Sequence, residues 1–88
     1  MISVAFSSSF KKAFKKRVSN NLLEEKFWLK LNIFINNPFD KSLRTHKLSG
    51  KLKDLWSFTV DYDLRVIFYF ENDDNAIFID IGTHDEVY

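Results

Sequence analysis

The sequence predicts an α+β domain with the element order β-α-α-β-β-β, an antiparallel sheet packed against a two-helix hairpin. Three observations carry this. Ile2, Val4 and Phe6 alternate with Ser3 and Ala5 at a period of two. Apolar residues then recur at helical intervals as far as Phe34. From Trp56 to Ile81 the period returns to two, broken only by short polar turns. With 88 residues and no linker-like tract, residues 1–88 form one domain.

Each element has a local cause. Ser7, Ser8 and Ser9 offer hydroxyls that can cap a helix, in which Phe10, Ala13, Phe14 and Arg17 share one face and Lys11, Lys12, Lys15 and Lys16 fill the other. Ser19-Asn20-Asn21 ends that helix and caps a longer one, with Leu23, Phe27, Leu31 and Phe34 at helical spacing until Asn36-Asn37-Pro38 stops it. Residues 40–53 are rich in cations and show no period, so an ordered loop with Gly50 at its turn is expected. Two alternating runs follow, Trp56 to Tyr62 and Leu64 to Phe70. A turn at Asn72-Asp73-Asp74-Asn75 leads into a last strand, Ala76 to Ile81. The short connections favour an antiparallel meander with one face against the helices.

Composition narrows the chemistry. There is no cysteine, so disulfides and thiolate metal sites are excluded, and the two histidines have no evident third ligand beside them. No metal or cofactor is expected. Apolar runs are too short to span a membrane and the first ten residues lack a signal-peptide pattern, so the expected location is the cytoplasm. The net charge of +1 conceals an uneven distribution. Up to Lys53 there are twelve Lys/Arg against three acids; from Asp54 on, Arg65 alone faces nine. Such a split either builds a basic face that attracts phosphates or lets the two halves neutralise each other in the fold.

The candidates for chemistry lie outside the periodic positions. His46 is in the basic loop and His84 follows the last strand, immediately after Gly82-Thr83, where the glycine permits a change of direction. In a meander the end of the last strand lies beside the start of the one before it, which places Arg65 near His84, with Asp63 two positions earlier. RNA can be cut without a metal when a base takes the 2′-hydroxyl proton, an acid protonates the leaving 5′-oxygen and a cation steadies the phosphorane. Imidazoles and a guanidinium suit these tasks. Taken singly, each residue also has an ordinary use: a loop histidine on the surface, Arg65 paired with Asp61 or Asp63, Tyr88 as an apolar plug.

The run "HKLSGKLKDLWSFTVDYDLRVIFYF", with "IDIGTHDEVY" after it, resembles the RelE/ParE toxin superfamily, and within it the YafQ-like ribosome-dependent mRNA endoribonucleases of type II toxin–antitoxin modules. The likeness covers nearly the whole chain. It implies a RelE-like fold, active-site roles for His46, Asp63 and His84, a phosphate-holding role for Arg65, and an RNA-placing role for Tyr88. It further implies a toxin that cuts mRNA on the ribosome without a metal, a cognate antitoxin, and contact with operator DNA only through the antitoxin complex. The loop cations Arg44, Lys47, Lys51 and Lys53 would then contact RNA phosphates. One departure stands out: some YafQ-like proteins carry a histidine where this chain has Thr59, which cannot shuttle protons near neutral pH. Two other outcomes follow from the same resemblance, a ParE-like inhibitor of DNA gyrase that is no nuclease, and a degenerate member that only binds its antitoxin.

Overall fold

The computed structural model describes residues 1–52 and 54–88. Strand β1 (Ser3–Phe6) leads into helices α1 (Ser8–Arg17) and α2 (Asn21–Asn36). Strands β2 (His46–Lys47), β3 (Trp56–Asp61), β4 (Leu64–Asn72) and β5 (Asn75–Gly82) follow, and a one-turn helix α3 (His84–Val87) comes last. The helices start where predicted, because Ser7 Oγ accepts from the Phe10 amide at 3.1 Å and Asn20 Oδ1 from the Leu23 amide at 2.9 Å. Pro38 ends α2 by forcing Asn37 into an extended conformation.

The sheet has the order β1-β5-β4-β3-β2. The meander is antiparallel as expected. However, β1 pairs with β5 in parallel, so the sheet is mixed rather than antiparallel. No hairpin joins β1 to β5, only the whole intervening chain, so nothing forces the antiparallel sense; after four residues β1 leaves the edge and α1 takes over beside β5. Ser9 Oγ donates to the Ile79 carbonyl at 2.7 Å and Arg17 Nη1 to the Ile81 carbonyl at 3.1 Å, groups that a longer β1 would have bonded. The expected basic loop is also more regular than its sequence suggested. It holds 3₁₀ turns at Lys41–Leu43 and Gly50–Leu52, and the two residues of β2 pair with Trp56 and Ser57.

One face of the sheet makes the core. Phe58, Phe68 and Phe78 from the strands meet Phe10, Phe27 and Phe34 from the helices, all six essentially inaccessible to solvent. Phe34 stacks on Phe58 at 5.1 Å and meets Phe78 edge-on at 5.2 Å, contacts that add to the apolar area each ring buries. Alternation therefore assigns Ser57, Thr59, Arg65 and Ile67 to the opposite face. On that face Thr59 and Arg65 lie beside Gly82 at the end of β5.

Candidate active site

Register brings the arginine to the end of the last strand. Arg65 at the start of β4 lies directly across from Thr59 on one side and Gly82 on the other. Past Gly82 the chain turns into α3, whose start Thr83 and Glu86 fix reciprocally. Thr83 Oγ1 accepts from the Glu86 amide at 3.3 Å, and Glu86 Oε1 accepts from the Thr83 amide at 2.7 Å. The Thr83 backbone bond, with Arg17 nearby, holds the Glu86 carboxyl below its ordinary pKa. Arg17 ties this turn to the sheet: its guanidinium bonds Asp80 Oδ1 at 3.1 Å and lies 3.7 Å from Glu86 Oε2.

The helical turn carries His84 and Tyr88 back over β4. Their rings meet edge-on at 4.5 Å, and the Arg65 guanidinium sits 5.9 Å from the centre of the Tyr88 ring, within cation–π range. Arg65, His84 and Tyr88 thus form one cluster. Among the described residues Arg65 makes no ion pair, with Asp61 or with Asp63; Asp61, which lines the same groove, is engaged by Lys26 at 3.0 Å. The Lys26 bond is the main cause of a lowered Asp61 pKa. Arg65 Nε is buried without a hydrogen-bond partner among the described residues, as is Ser57 Oγ.

His46 stands apart, exposed on β2 and paired with Ser57. From Ser57 to Thr59 is one repeat of the pleat, so His46 shares the face of Arg65 but lies one side-chain step along it. Its Nδ1 is 3.0 Å from the Arg44 carbonyl. A carbonyl only accepts, so this contact puts the proton on Nδ1 and leaves Nε2 with its lone pair. Arg44 itself is left-handed, φ 53°, the one non-glycine residue with positive φ among those described. His84 differs: its Nδ1 lies 3.7 Å from the Asp85 carboxylate, with both side chains exposed.

The other sequence-predicted residues are more dispersed. Asp63 is exposed at the β3–β4 turn, on the wall of an open groove of about 690 Å³ that also reaches Thr59, Arg44 and Arg65. Lys47 and Lys51 are exposed in the basic segment. Lys53 lies outside the described residues. Sequence reasoning missed Arg17, Thr83 and Glu86, although Thr-x-x-Glu is a readable capping signal. The change of direction expected at Gly82 is present, with a different cause. That residue does not adopt a left-handed backbone, and is needed for space, since a β-carbon there would lie 2.9 Å from Arg17 Nη1 and from Glu86 Oε1.

Residues 2–88 match the family described as the bacterial toxin of type II toxin–antitoxin systems, YafQ. No curated protein matches the chain in sequence. Among solved structures, a metal-bound toxin from Helicobacter pylori is 21% identical over 100% of both chains, with a TM-score of 0.80. YafQ from Escherichia coli strain BL21(DE3) is 21% identical over 100% of this chain and 99% of its own, TM-score 0.79. A chain of the E. coli DinJ–YafQ toxin–antitoxin complex is 22% identical over 99% of this chain and 97% of its own, TM-score 0.75. At these identities the likeness establishes a shared α+β fold.

Proposed function

This chain belongs to the YafQ family of bacterial type II toxin–antitoxin toxins, and from that membership we propose that it is a ribosome-dependent mRNA endoribonuclease. The observation that carries the proposal is Arg65: a cation in the acidic half, paired with no carboxylate among the described residues, and placed against Tyr88, whose other neighbour is the His84 ring. A guanidinium with no carboxylate partner keeps its charge and its planar fork of donors for a phosphate.

The imidazoles divide the proton work. His46 Nε2, free to accept because Nδ1 is held by the Arg44 carbonyl, takes the proton from a 2′-hydroxyl. The 2′-oxygen attacks the adjacent phosphorus, Arg65 steadies the charge on the non-bridging oxygens, and His84 gives its proton to the departing 5′-oxygen. The products are a 2′,3′-cyclic phosphate and a 5′-hydroxyl. Tyr88 presents its ring to a neighbouring base, and Asp63 accepts from a ribose hydroxyl. Arg44, Lys47, Lys51 and Lys53 supply phosphate contacts, and no metal is required. A cognate antitoxin covers the site; a neighbouring fold is a DinJ–YafQ complex. No described helix is long and apolar enough to cross a membrane, and the cytoplasm remains the proposed location.

A second reading has its own support. Thr59 faces Arg65 across β3 and β4 at the position where some relatives carry a histidine, so a family member that binds its antitoxin without cutting is the alternative. Primer extension on a reporter mRNA in a translating extract separates the two, comparing wild type with His46→Ala and His84→Ala, each with and without EDTA. Ribosome-dependent cuts that persist in EDTA and vanish in both variants are expected. Uncut message with the wild type would sink the nuclease and leave the silent binder; intact mRNA with accumulated gyrase–DNA cleavage complexes would mean a ParE-like inhibitor.

A further inference from the structure

Arg65 belongs to two surroundings at once. Its guanidinium faces Tyr88, and it also lines the 690 Å³ groove, whose other walls come from α2 and from the β3–β4 turn; neither His84 nor Tyr88 is on those walls. The volume is in the range of sites that hold a small ligand, roughly 300–1,000 Å³.

The charge in the groove is uneven in a useful way. Lys26 and Asp61 cancel each other at 3.0 Å. Lys30 bonds the Ser42 carbonyl at 2.9 Å and makes no ion pair among the described residues, though its charge helps lower the Asp40 and Asp61 carboxyls. With Arg44 and Arg65 it makes three cations against Asp63. At the rim Tyr62 is 95% exposed and Leu29 62% exposed. A ring so exposed buries nothing in this fold, and its face is open to a planar partner. A cationic groove with an open aromatic ring combines the two features that hold single-stranded nucleic acid.

We infer that this groove is a subsite for the nucleotide adjoining the cleaved phosphodiester, with its phosphate on Lys30 and Arg44 and its base stacked on Tyr62. The inference rests on the nuclease reading for the position of the cut, but not for the binding. An acidic peptide would satisfy the cations equally. It would leave Tyr62 without a stacking partner, and RNA uses both.

The test is fluorescence anisotropy of the full chain with a short single-stranded RNA whose 2′-hydroxyls are methylated, so that it cannot be cut, across a salt series. Lys30→Gln should lower the slope of log Kd against log salt by about 0.7, the share of one phosphate contact on a single strand. Tyr62→Ala should weaken binding roughly tenfold with the slope unchanged, and Tyr62→Trp should retain it. Lys11→Gln on α1 serves as the control. Tyr62 is at an exposed turn, so its variants fold whatever Lys30→Gln does. Wild-type affinity and slope in both variants would overturn the subsite, as would no binding by the wild type at low salt, or a loss confined to antitoxin binding. If the extract shows cutting whose flanking-base preference ignores Tyr62, the subsite falls and the nuclease stands. If binding depends on Tyr62 and Lys30 while no message is cut, the subsite stands and the nuclease falls.

Discussion

Gly82→Ala should separate stability from activity. The β-carbon it adds would lie 2.9 Å from Arg17 Nη1, 2.9 Å from Glu86 Oε1 and 3.0 Å from Glu86 Cβ. The first two are ends of flexible side chains and can swing aside, though only by giving up the bonds that tie α3 to the sheet. The third cannot: Glu86 Cβ moves only if α3 moves. Overpacking of this kind costs about 1–3 kcal/mol, and in a domain this small each kcal/mol lowers Tm by about 4–8 °C. The catalytic loss should be larger in proportion, because α3 carries His84 and Tyr88 and a misplacement on the order of 1 Å costs about 10²-fold in rate. The assay pairs thermal melts with the ribosome-dependent cleavage reaction. Gly50→Ala is the matched comparison: nothing lies within 4 Å of a β-carbon there, but φ is +67°, so its cost of roughly 1 kcal/mol arises from the backbone and should leave cleavage unchanged relative to folded protein. Wild-type Tm and wild-type cleavage in Gly82→Ala would refute the claim that Gly82 makes room for the clamp.

Arg44 should discriminate substitutions by backbone rather than by charge. Arg44→Gly should fold with unchanged or higher Tm, whereas Arg44→Val should lose about 1–2 kcal/mol, since φ 53° is costly for a β-branched residue. Imidazole nitrogen shifts of His46 should report a protonated Nδ1 in wild type and lose that signature in Arg44→Val. Thr83→Ala removes the oxygen that accepts from Glu86 and should reduce cleavage well before it reduces Tm; the helix-cap cost is about 1 kcal/mol and falls on α3 alone. Acid should destabilise the fold in a defined window. Asp40, Asp61 and Glu86 have folded pKa values below their ordinary 3.8, 3.8 and 4.5, so their stabilisation is complete above those values and is lost as pH falls through the lower folded ones. Asp40 is held down chiefly by the Ser42 amide, so Asp40→Asn should lower Tm at neutral pH and flatten its fall below pH ~4, as melts across that range would show.

The helices and the meander were legible because their causes are local. Serine and asparagine caps, Pro38 and a change of period each act within a few residues. The placement of Arg65 beside the end of the last strand was legible for the same reason: a short turn fixes register, and Arg65 does pair with Gly82. Three features were not, and each depends on distant residues. The parallel pairing of β1 joins residues more than seventy positions apart. The pairing of β2 rests on two residues whose partners begin at Trp56, with no alternation of their own. The Arg17 clamp is the third: the helical spacing puts Arg17 on the apolar face of α1, but its partners Asp80 and Glu86 lie more than sixty positions away.

That clamp bears on the division of charge along the chain. The halves do neutralise each other, but only at chosen places. Arg17 with Asp80 and Glu86, and Lys26 with Asp61, are pairs between a basic-half cation and an acidic-half carboxylate, and each secures an element next to the site. Lys11, Lys12, Lys15, Lys16, Lys47 and Lys51 are exposed, and none joins an ion pair among the described residues. Arg65 is the reverse case, a cation preceded in sequence by Asp61 and Asp63 that joins no ion pair among the described residues, while Lys26 engages Asp61. Asp61 and Arg65 line the same groove, so a carboxylate released there can compete for the guanidinium. By engaging Asp61, Lys26 removes one such competitor. Lys26→Met should consequently weaken RNA binding through Arg65, and Asp61→Asn in the same chain should restore it. Failure of the second change to rescue the first would show that Asp61 does not compete for Arg65.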